Sequence, residues 1–210
     1  RIESRGLGDV YKRQVFMDCD QLMTGDIAEL WRLRDEKYAV QVCKHDYEPR
    51  TETKFLNQVQ TKYPKKNWSS FMLMNCDKCT ALTPDYVNTA TGLQLHQFKW
   101  LSDDKLIGDL PLEWNWLAGE YEYKKDIKNI HYTEGGPWFN EYRDCDYSKE
   151  WLDHYINQGV EHFYLIDNGS TDNTLNIIKQ YNNITLFKDN RKHPFEQELM
   201  LNDNLLPIIK

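Results

Sequence analysis

Residues 160–187 read VEHFYLIDNGSTDNTLNIIKQYNNITLF and carry the clearest folding signal in the chain. An apolar run at 160–166 is followed by a turn at 168–170, an amphipathic helical stretch at 171–181 and a second apolar run at 184–187. Strand, turn, helix and strand at this spacing predict a βαβ unit with parallel strands. A ligand crevice is then expected at the carboxyl end of the first strand.

The part of the chain before this unit alternates in the same way, though less regularly. Strands are predicted at 15–17, 38–43, 70–74 and 128–132, and a helix at 26–34. This alternation of short β-type runs with helical stretches predicts an α/β layered fold.

Three local signals place further elements. Thr83 and Pro84 predict a helix start, with a cap and a proline in the first position, and Gly92 predicts the end of that helix. Residues 106–120 are rich in Pro, Gly and Trp and predict a loop. Apolar residues at helical spacing predict another helix at 150–157.

The composition is that of a packed, acidic, globular protein. Of 210 residues, 40% are hydrophobic and 13% aromatic, and the formal net charge is -7. This charge argues against nucleic acid and anionic membranes as partners, so a phosphate ligand must be held locally, by a divalent cation or a helix N-terminus. No apolar run approaches the roughly 20 residues needed to cross a bilayer, so no membrane span is predicted.

The chain contains five cysteines, an odd number that favours a reducing compartment over a disulfide framework. A cytoplasmic location is therefore expected. Cys76 and Cys79 form a single CxxC motif, and without a second pair or a nearby histidine it is more simply incidental than a zinc site.

Residues 1–14, RIESRGLGDVYKRQ, are polar and lack a hydrophobic period. Their end, GDVYKRQ, resembles the translated end of a transposon adapter used in sequencing libraries. We therefore expect residues 1–14 to be a non-native leader that takes no part in the fold, and the protein to be truncated before Val15.

Asp18 and Asp20 follow the apolar run at 15–17. Strand alternation aims both carboxylates to the same side, while Cys19 points the other way. Two convergent carboxylates predict a site for Mg²⁺ or Mn²⁺ that keeps open positions for phosphate oxygens. The alternative is a plain surface turn.

Several sequence blocks share their order with one family of enzymes. They are FMDCD at 16–20 with DIAELW at 26–31, WSSFMLMNC at 68–76, LHQFKWL at 95–101, LPLEWNWLAGEY at 110–121 and HYTEGGPWF at 131–139. Over about residues 15–150 this series resembles the GT-A glycosyltransferases of family 8, the glycogenin and galactinol-synthase type, and their uncharacterised viral and bacterial relatives. The resemblance implies a Rossmann-like nucleotide-diphospho-sugar transferase fold, with a mixed, mostly parallel sheet flanked by helices.

The family 8 resemblance also implies site residues. It implies that His131 completes the metal site of Asp18 and Asp20, whereas the alternative for His131 is a satisfied core histidine. The usual Lys before Pro137 is replaced by Gly136, which puts a direct diphosphate contact from that position in doubt. The family is generally retaining and needs no strong protein nucleophile, so no catalytic residue is assigned.

The same resemblance implies two groups of sugar-contacting residues, for which core packing is the alternative. The donor group comprises Ser69, Ser70 and Asn75, and the acceptor-side platform comprises Trp114, Asn115 and Trp116. Tryptophan faces stack on sugar rings and asparagine hydrogen-bonds to hydroxyls, which gives these assignments a physical motive.

The segment DNGSTDNT at 167–174 resembles the strand end of glycosyltransferase families 2 and 92. That resemblance implies nucleotide contacts from Asp167 and Asp172. The alternative is a capped turn in which Ser170 or Thr171 caps the following helix. The chain stops before this second unit would reach an Asp-x-Asp strand of its own.

These patterns predict a leader at 1–14, the C-terminal part of a family 8-like GT-A domain at 15–149 and the N-terminal part of a second GT-A-like domain at 150–210. A natural fusion and a chimeric assembly are both open. The predicted function is metal-dependent glycosyl transfer, of the hexosyltransferase type, from a nucleotide-diphosphate donor such as a UDP-sugar to a glycan, lipid or protein. The alternatives are a carbohydrate-binding remnant without catalysis and, less favoured, an Asp-x-Asp phosphatase.

Overall fold

The computed structural model describes residues 12–54, 58–138, 142, 145–167 and 174–188. The chain divides into two compact units, and each unit is formed by two separate stretches of the sequence. The first unit comprises Arg1–Glu52 and Gln60–His131, and the second comprises Thr53–Val59 and Tyr132–Lys210. The predicted boundary at 149/150 concerns sequence relationship, and it stays a prediction.

The first unit contains seven of the described strands and three short α-helices. The strands are β1 (Arg13–Met17), β2 (Gln21–Met23), β3 (Val40–Val42), β6 (Phe71–Asn75), β7 (Ile107–Asp109), β8 (Trp116–Leu117) and β9 (Asn129–His131). The helices are α1 (Ile27–Arg32), α2 (Pro84–Thr89) and α3 (Gly92–His96). The intervening strands β4 (Thr53–Lys54) and β5 (Gln58–Val59) form an antiparallel pair in the second unit.

Two sheets organise the first unit. The larger has the order β1-β6-β3-β7, in which β6 runs antiparallel to both neighbours and β3 is parallel to β7. The smaller has the order β2-β9-β8, with β2 antiparallel and β8 parallel to β9. The second sheet matters most for function, because its register sets Gln21 opposite His131.

Alternation along β6 explains how the larger sheet is packed on both faces. Phe71 and Leu73 are buried in a cluster with Leu30 of α1 and Trp114, whereas the half-buried Met72 and Met74 face a second cluster. That second cluster includes Val40, Val42, Phe98, Trp100 and Ile107. Burial of a side chain of this size contributes about 1.5–3 kcal/mol, so the two clusters hold the sheet that carries the site.

The second unit contains the predicted βαβ pattern. Strand β10 (Phe163–Asp167) pairs in parallel with β11 (Ile184–Lys188), and helix α5 (Thr174–Ile178) lies between them in sequence. Helix α4 (Ser148–Asn157) precedes β10, and the Trp151 ring lies 6.3 Å from that of Phe163. The predicted turn at 168–170 falls outside the described residues.

The α/β class is confirmed, with mixed sheets as predicted. The emphasis on parallel pairing is not matched, because three of the seven described strand pairs are parallel. Arg13 and Gln14, which the leader prediction leaves out of the fold, pair with Asn75 and Met74 at the start of β1. Backbone ladders accept almost any side chain, so this pairing says nothing of where those residues come from.

Two local predictions were wrong. Gly92 does not end α2, which stops at Thr89, but begins α3, because Thr91 and Gln94 form a capping box that starts a new helix. Residues 106–120 are not a plain loop, since β7 and β8 lie within them. Gly108 allows β7 to form there, because a Cβ at that position would lie 2.2 Å from the Tyr38 ring.

Among the described residues, no helix combines the length and apolar character that a membrane crossing requires.

Candidate metal centre

Three predicted residues converge in the first unit. One side-chain ligand atom from each of Asp18, Asp20 and His131 lies within 4.8 Å of the others. Both aspartates are half-buried, and His131 is 2% exposed. The sheets explain the convergence: the Asp18 amide donates to the Ser70 carbonyl (2.9 Å) where β1 leaves β6, and Asp20 immediately precedes the residue paired with His131.

The orientation of the His131 ring follows from its neighbour Asn115. The Asn115 amide nitrogen donates to the Asn67 carbonyl (3.0 Å) and to Ser70 Oγ (2.9 Å). Because a carbonyl can only accept, Asn115 Oδ1 must be the atom that faces His131 Nδ1, at 3.0 Å. Nδ1 therefore carries a proton, and the free lone pair of a neutral ring is on Nε2.

This tautomer gives a test of whether a cation suits the site. His131 Nε2 lies 3.4 Å from Asp20 Oδ1, so a neutral ring turns a lone pair towards a carboxylate oxygen. A cation between the two atoms, or a proton, converts that repulsion into attraction. Two carboxylates and one imidazole with an ordered second nitrogen are a suitable donor set for Mn²⁺ or Mg²⁺. The residues present therefore fit a divalent ion.

A further layer of hydrogen bonds fixes the strands that carry these ligands. Gln21 Nε2 donates to the Ser70 carbonyl (2.8 Å), and Asn129 Nδ2 donates to Gln21 Oε1 (2.6 Å) and to the Trp114 carbonyl (3.0 Å). Asn129 is fully buried. No role at the site was predicted from the sequence for Gln21, Asn67 or Asn129. Their only signal is a polar side chain at a position that pairing between distant strands later buries.

The two adjacent serines of the predicted donor group go to different places. Ser70 is buried and its Oγ contacts both Asn115 and, at 3.4 Å, His131 Nδ1. Ser69 Oγ instead lies 2.8 Å from Nδ1 of the exposed His96. Both serines lie in the turn before β6, and of the two the structure brings Ser70 into contact with His131.

Asn75, the third predicted donor residue, is not brought to the metal-ligating residues. It lies at the far end of β6, roughly 17 Å from Ser70 for five residues of extended chain. Its side chain is 5% exposed and donates to Glu36 Oε2 at 3.5 Å. The block WSSFMLMNC spans a whole strand, so its two ends lie apart, and a donor contact from Asn75 stays a prediction.

The predicted acceptor platform of Trp114, Asn115 and Trp116 is not a platform. Trp114 is 3% exposed and stacks on Phe71 in the core, with ring centroids 6.5 Å apart. Asn115 is fully buried against His131. Trp116 is half-buried and packs edge-on against Tyr121 at 5.0 Å. For Trp114, core packing, which the sequence left as the alternative, is the correct reading.

An aromatic group lies close to the metal-ligating residues. His45 Nδ1 is 2.8 Å from Tyr121 Oη, and the Tyr47 ring packs near both, with centroids 6.3 Å and 6.0 Å away. Burial and, second, repulsion from His131 lower the pKa of His45 to about 3, so this imidazole is neutral at pH 7. Burial raises the pKa of Tyr121 to about 12, so it stays a phenol.

The acidic strand end of the second unit is described only in part. Asp167 closes β10, is 3% exposed and lies in register with Lys188. Asp172 falls outside the described residues. A nucleotide contact from Asp167 or Asp172 stays a prediction.

The CxxC pair lies away from any described metal-ligating group. No disulfide joins any of the five cysteines, all of which lie in the described part of the chain. Cys79 is buried and its thiol donates to the Ala39 carbonyl at 3.4 Å, and burial raises the pKa of Cys79 to about 12. Among the described residues, the cluster of Asp18, Asp20 and His131 is the group found with metal-ligating geometry, and it excludes both cysteines.

Residues 137–194 match the family model described as Glycosyltransferase family 92. Protein CDI of Arabidopsis thaliana is 46% identical over 153 residues, which represent 70% of this chain and 59% of that protein. The chain thus spans less than two thirds of this relative.

Two solved glycosyltransferase structures show a distant likeness. The glycosyltransferase GlyE of Streptococcus pneumoniae TIGR4 aligns over 91% of this chain and 69% of its own, with 12% identity and a TM-score of 0.41. The apo structure of the bifunctional glycosyltransferase WbbM aligns over 81% and 35%, with 17% identity and a TM-score of 0.42.

These comparisons support one part of the predicted family resemblance and do not support the other. The family 92 match includes the DNGSTDNT segment and agrees with the family 92 part of the prediction, although it begins at residue 137 and not at 150. None of the comparisons supports the family 8 resemblance of residues 15–150. Residues 137–194 are therefore similar in sequence to Glycosyltransferase family 92.

Proposed function

We propose that the chain is part of a metal-dependent glycosyltransferase that takes a hexose from a nucleotide-diphosphate donor, with a UDP-sugar as the donor, and passes it to a glycan, lipid or protein acceptor. The observation that carries the proposal is the convergence of Asp18, Asp20 and His131 at one strand end. The family 92 match over residues 137–194 supports the reaction class.

The proposed roles follow from the contacts. Asp18, Asp20 and His131 hold Mn²⁺ or Mg²⁺, which when bound neutralises charge on the diphosphate that leaves with the nucleotide. Asn115 holds the His131 ring so that Nε2 faces the carboxylates, and Ser70 holds Asn115. A protein with a net charge of -7 has no long-range attraction for a diphosphate, so a local cation is the physical means of binding one.

The proposal places this protein in a reducing compartment, the cytoplasm. Five cysteines outside any disulfide, two of them buried, are consistent with that location.

Calorimetry with Mn²⁺ and a panel of UDP-sugars tests the proposal on the full chain. We expect binding that requires Mn²⁺ and that is lost in a double variant, Asp18→Asn with Asp20→Asn. The matched control is Asp77→Asn, an exposed aspartate at the other end of β6, which should bind as the parent does. If the folded parent binds no UDP-sugar with Mn²⁺, or if the double variant binds equally well, the proposal is wrong.

A further inference from the structure

A small cleft lies in the first unit beside the metal-ligating residues. Its volume is about 300 Å³, and two segments line it, residues 47–49 and residues 62–66. Two tyrosines, Tyr47 and Tyr63, and two prolines, Pro49 and Pro64, are among its lining residues. The sequence analysis did not single out any of these residues.

The size of the cleft limits what it can hold. Small-molecule pockets commonly range from about 300 to 1,000 Å³, so this cleft is at the lower end. It accommodates one ring with its substituents and not a whole nucleotide sugar. Aromatic faces with a few fixed polar groups are the surface on which the C–H face of a sugar ring packs.

The charged groups of the cleft favour a neutral, hydroxyl-rich ligand over a phosphate. Lys62 is paired with Glu48 at 2.9 Å, and Lys66 Nζ donates to Gln60 Oε1 and the Thr61 carbonyl, both at 2.8 Å. The two ammonium groups are thus already engaged by protein oxygens. The exposed Glu48 carboxylate can still accept from ligand hydroxyls, because each oxygen has more than one acceptor position.

Hydrogen bonds connect the cleft to the metal-ligating residues through one residue, Asn67, which uses its side chain towards Tyr47 and its backbone carbonyl towards Ser70 and Asn115. Its Nδ2 donates to Tyr47 Oη at 2.8 Å, and its carbonyl accepts from Ser70 Oγ at 2.7 Å and from Asn115 Nδ2 at 3.0 Å. Ser70 and Asn115 in turn contact His131.

The pKa of Tyr63 also indicates that the cleft lies near Asp18. Burial and, second, the negative charge of Asp18 raise the pKa of the Tyr63 hydroxyl. Asp18 is therefore within electrostatic reach of the wall of the cleft.

We infer that the cleft between Tyr47 and Tyr63 binds one hexose ring of the acceptor, next to the donor site; this inference rests on the proposed function. The ring packs its C–H face on the tyrosine and proline surfaces and hydrogen-bonds through its hydroxyls to Glu48. The aromatic platform that the sequence placed at residues 114–116 is thus supplied by residues 47–49 and 62–66.

Saturation-transfer NMR of the full chain with the methyl glycosides of glucose, galactose and mannose tests this inference, and calorimetry with UDP and Mn²⁺ runs in parallel. We expect at least one glycoside to bind the parent protein. Tyr63→Ala should weaken that binding about 10-fold through lost stacking, while Tyr63→Phe, which keeps the ring, should restore it. UDP binding should stay within about 2-fold in both variants.

Two further variants keep the test decisive. Glu48→Gln changes an exposed side chain, 84% accessible, so the variant does not disturb the core. It should still weaken glycoside binding about 10-fold, because the ligand loses a hydrogen bond to a charged group. Tyr123→Ala removes an exposed tyrosine, 51% accessible, that does not line the cleft and should change nothing.

The outcomes separate this inference from the proposed function. If UDP binds with Mn²⁺ but no glycoside binds, or if glycoside binding survives both Tyr63→Ala and Glu48→Gln, the inference is wrong and the proposed function stands. If Tyr63→Ala removes UDP binding instead, the cleft holds the nucleobase and the inference is also wrong. If glycosides bind at Tyr63 while UDP does not bind the folded parent, the cleft stands as a sugar site and the transferase proposal fails.

Discussion

The two ends of strand β6 each carry a buried polar residue, but the surroundings of these two residues differ. At the first end, the Ser70 carbonyl accepts from Asp18 and Gln21, and the Ser70 hydroxyl is held by Asn115 beside His131. At the other end, the Asn75 side chain donates to Glu36 Oε2 at 3.5 Å. Each end offers a buried polar residue, and one end gathers polar side chains from four other chain segments.

The difference teaches that a polar strand end becomes a candidate site only where distant segments meet. Asp18 and Asp20 leave β1 on the side of β6 where β2 and β9 also arrive. At the Asn75 end, the neighbours are Arg13, the CxxC segment and the chain before β3. The following predictions contrast these two ends, or the two histidines beside Ser69 and Ser70.

The largest effect is expected from His131. Replacing it in His131→Ala removes a proposed metal ligand, so we expect Mn²⁺-dependent UDP-sugar affinity to fall roughly 100-fold or more, beyond the 10- to 100-fold typical of outer-shell changes. The control His96→Ala changes the exposed histidine that contacts Ser69 and should leave the affinity within about 2-fold. Equal losses in the two variants, measured by calorimetry, would contradict the assigned role.

A smaller loss is expected from the residues that orient His131. Asn115→Ala and Ser70→Ala each remove part of the hydrogen-bond chain to Nδ1, so Mn²⁺ affinity should fall about 10- to 100-fold.

Asn75→Ala is the matched change at the other end of β6. It removes a long hydrogen bond to Glu36 and should lower the free energy of unfolding by about 1 kcal/mol while leaving Mn²⁺ affinity unchanged. Denaturant unfolding gives the first quantity and metal titration the second. A drop in Mn²⁺ affinity for Asn75→Ala as large as that for Asn115→Ala would erase the contrast between the two ends.

The neutral, buried His45 should make the free energy of unfolding depend on pH. Its pKa is lowered from 6.5 to about 3 in the folded protein, so between these values the unfolded chain binds the extra proton. Stability is therefore lost as pH falls from 6.5 towards 3, by at most about 1.4 kcal/mol per pH unit.

The variant His45→Gln isolates this contribution. Glutamine retains a polar group that can reach Tyr121 and does not titrate, so the slope of unfolding free energy against pH should flatten between pH 6.5 and 3. Urea unfolding at several pH values measures the slope. Parallel slopes for the parent and the variant would mean that His45 does not carry the effect.

The smallest effect is expected in thiol labelling. Cys19 is exposed and lies between Asp18 and Asp20, whereas Cys79, near the other end of β6, is buried with a pKa of about 12. Mn²⁺ with UDP should slow the labelling of Cys19 by a few-fold and leave the slow labelling of Cys79 unchanged. Mass spectrometry of labelled peptides distinguishes the two thiols, and unchanged Cys19 labelling under saturating UDP would argue against a donor at this strand end.

The sequence predicted the α/β class because the βαβ pattern is local. The run 160–166, the helix that follows and the run 184–187 each show their own period, and the parallel pair β10–β11 confirms them. The convergence of Asp18 and Asp20 depends on more than strand alternation, because β1 ends at Met17 and Cys19 and Asp20 lie in a turn before β2. His131 came from the resemblance and not from any local period.

The remaining details depend on contacts between distant residues. Nothing near Trp114 shows that Phe71, 43 positions earlier, stacks on its ring, so a core residue was interpreted as a sugar platform. Asn67 resembles any polar loop residue until Ser70, Asn115 and Tyr47 bond to it. The cleft of Tyr47 and Tyr63 likewise joins two segments that carry no shared pattern.

The pairing of Gln21 with Asn129 has a consequence for folding. These residues are 108 positions apart, so the strands β2 and β9 close most of the first unit into one loop. Closing a long loop costs chain entropy that local structure cannot recover. Asp18, Asp20 and His131 would bind an ion together only after the two strands have paired. The binding free energy of that ion would therefore stabilise the folded state. Metal supply would then govern how fast this protein unfolds as well as what it binds.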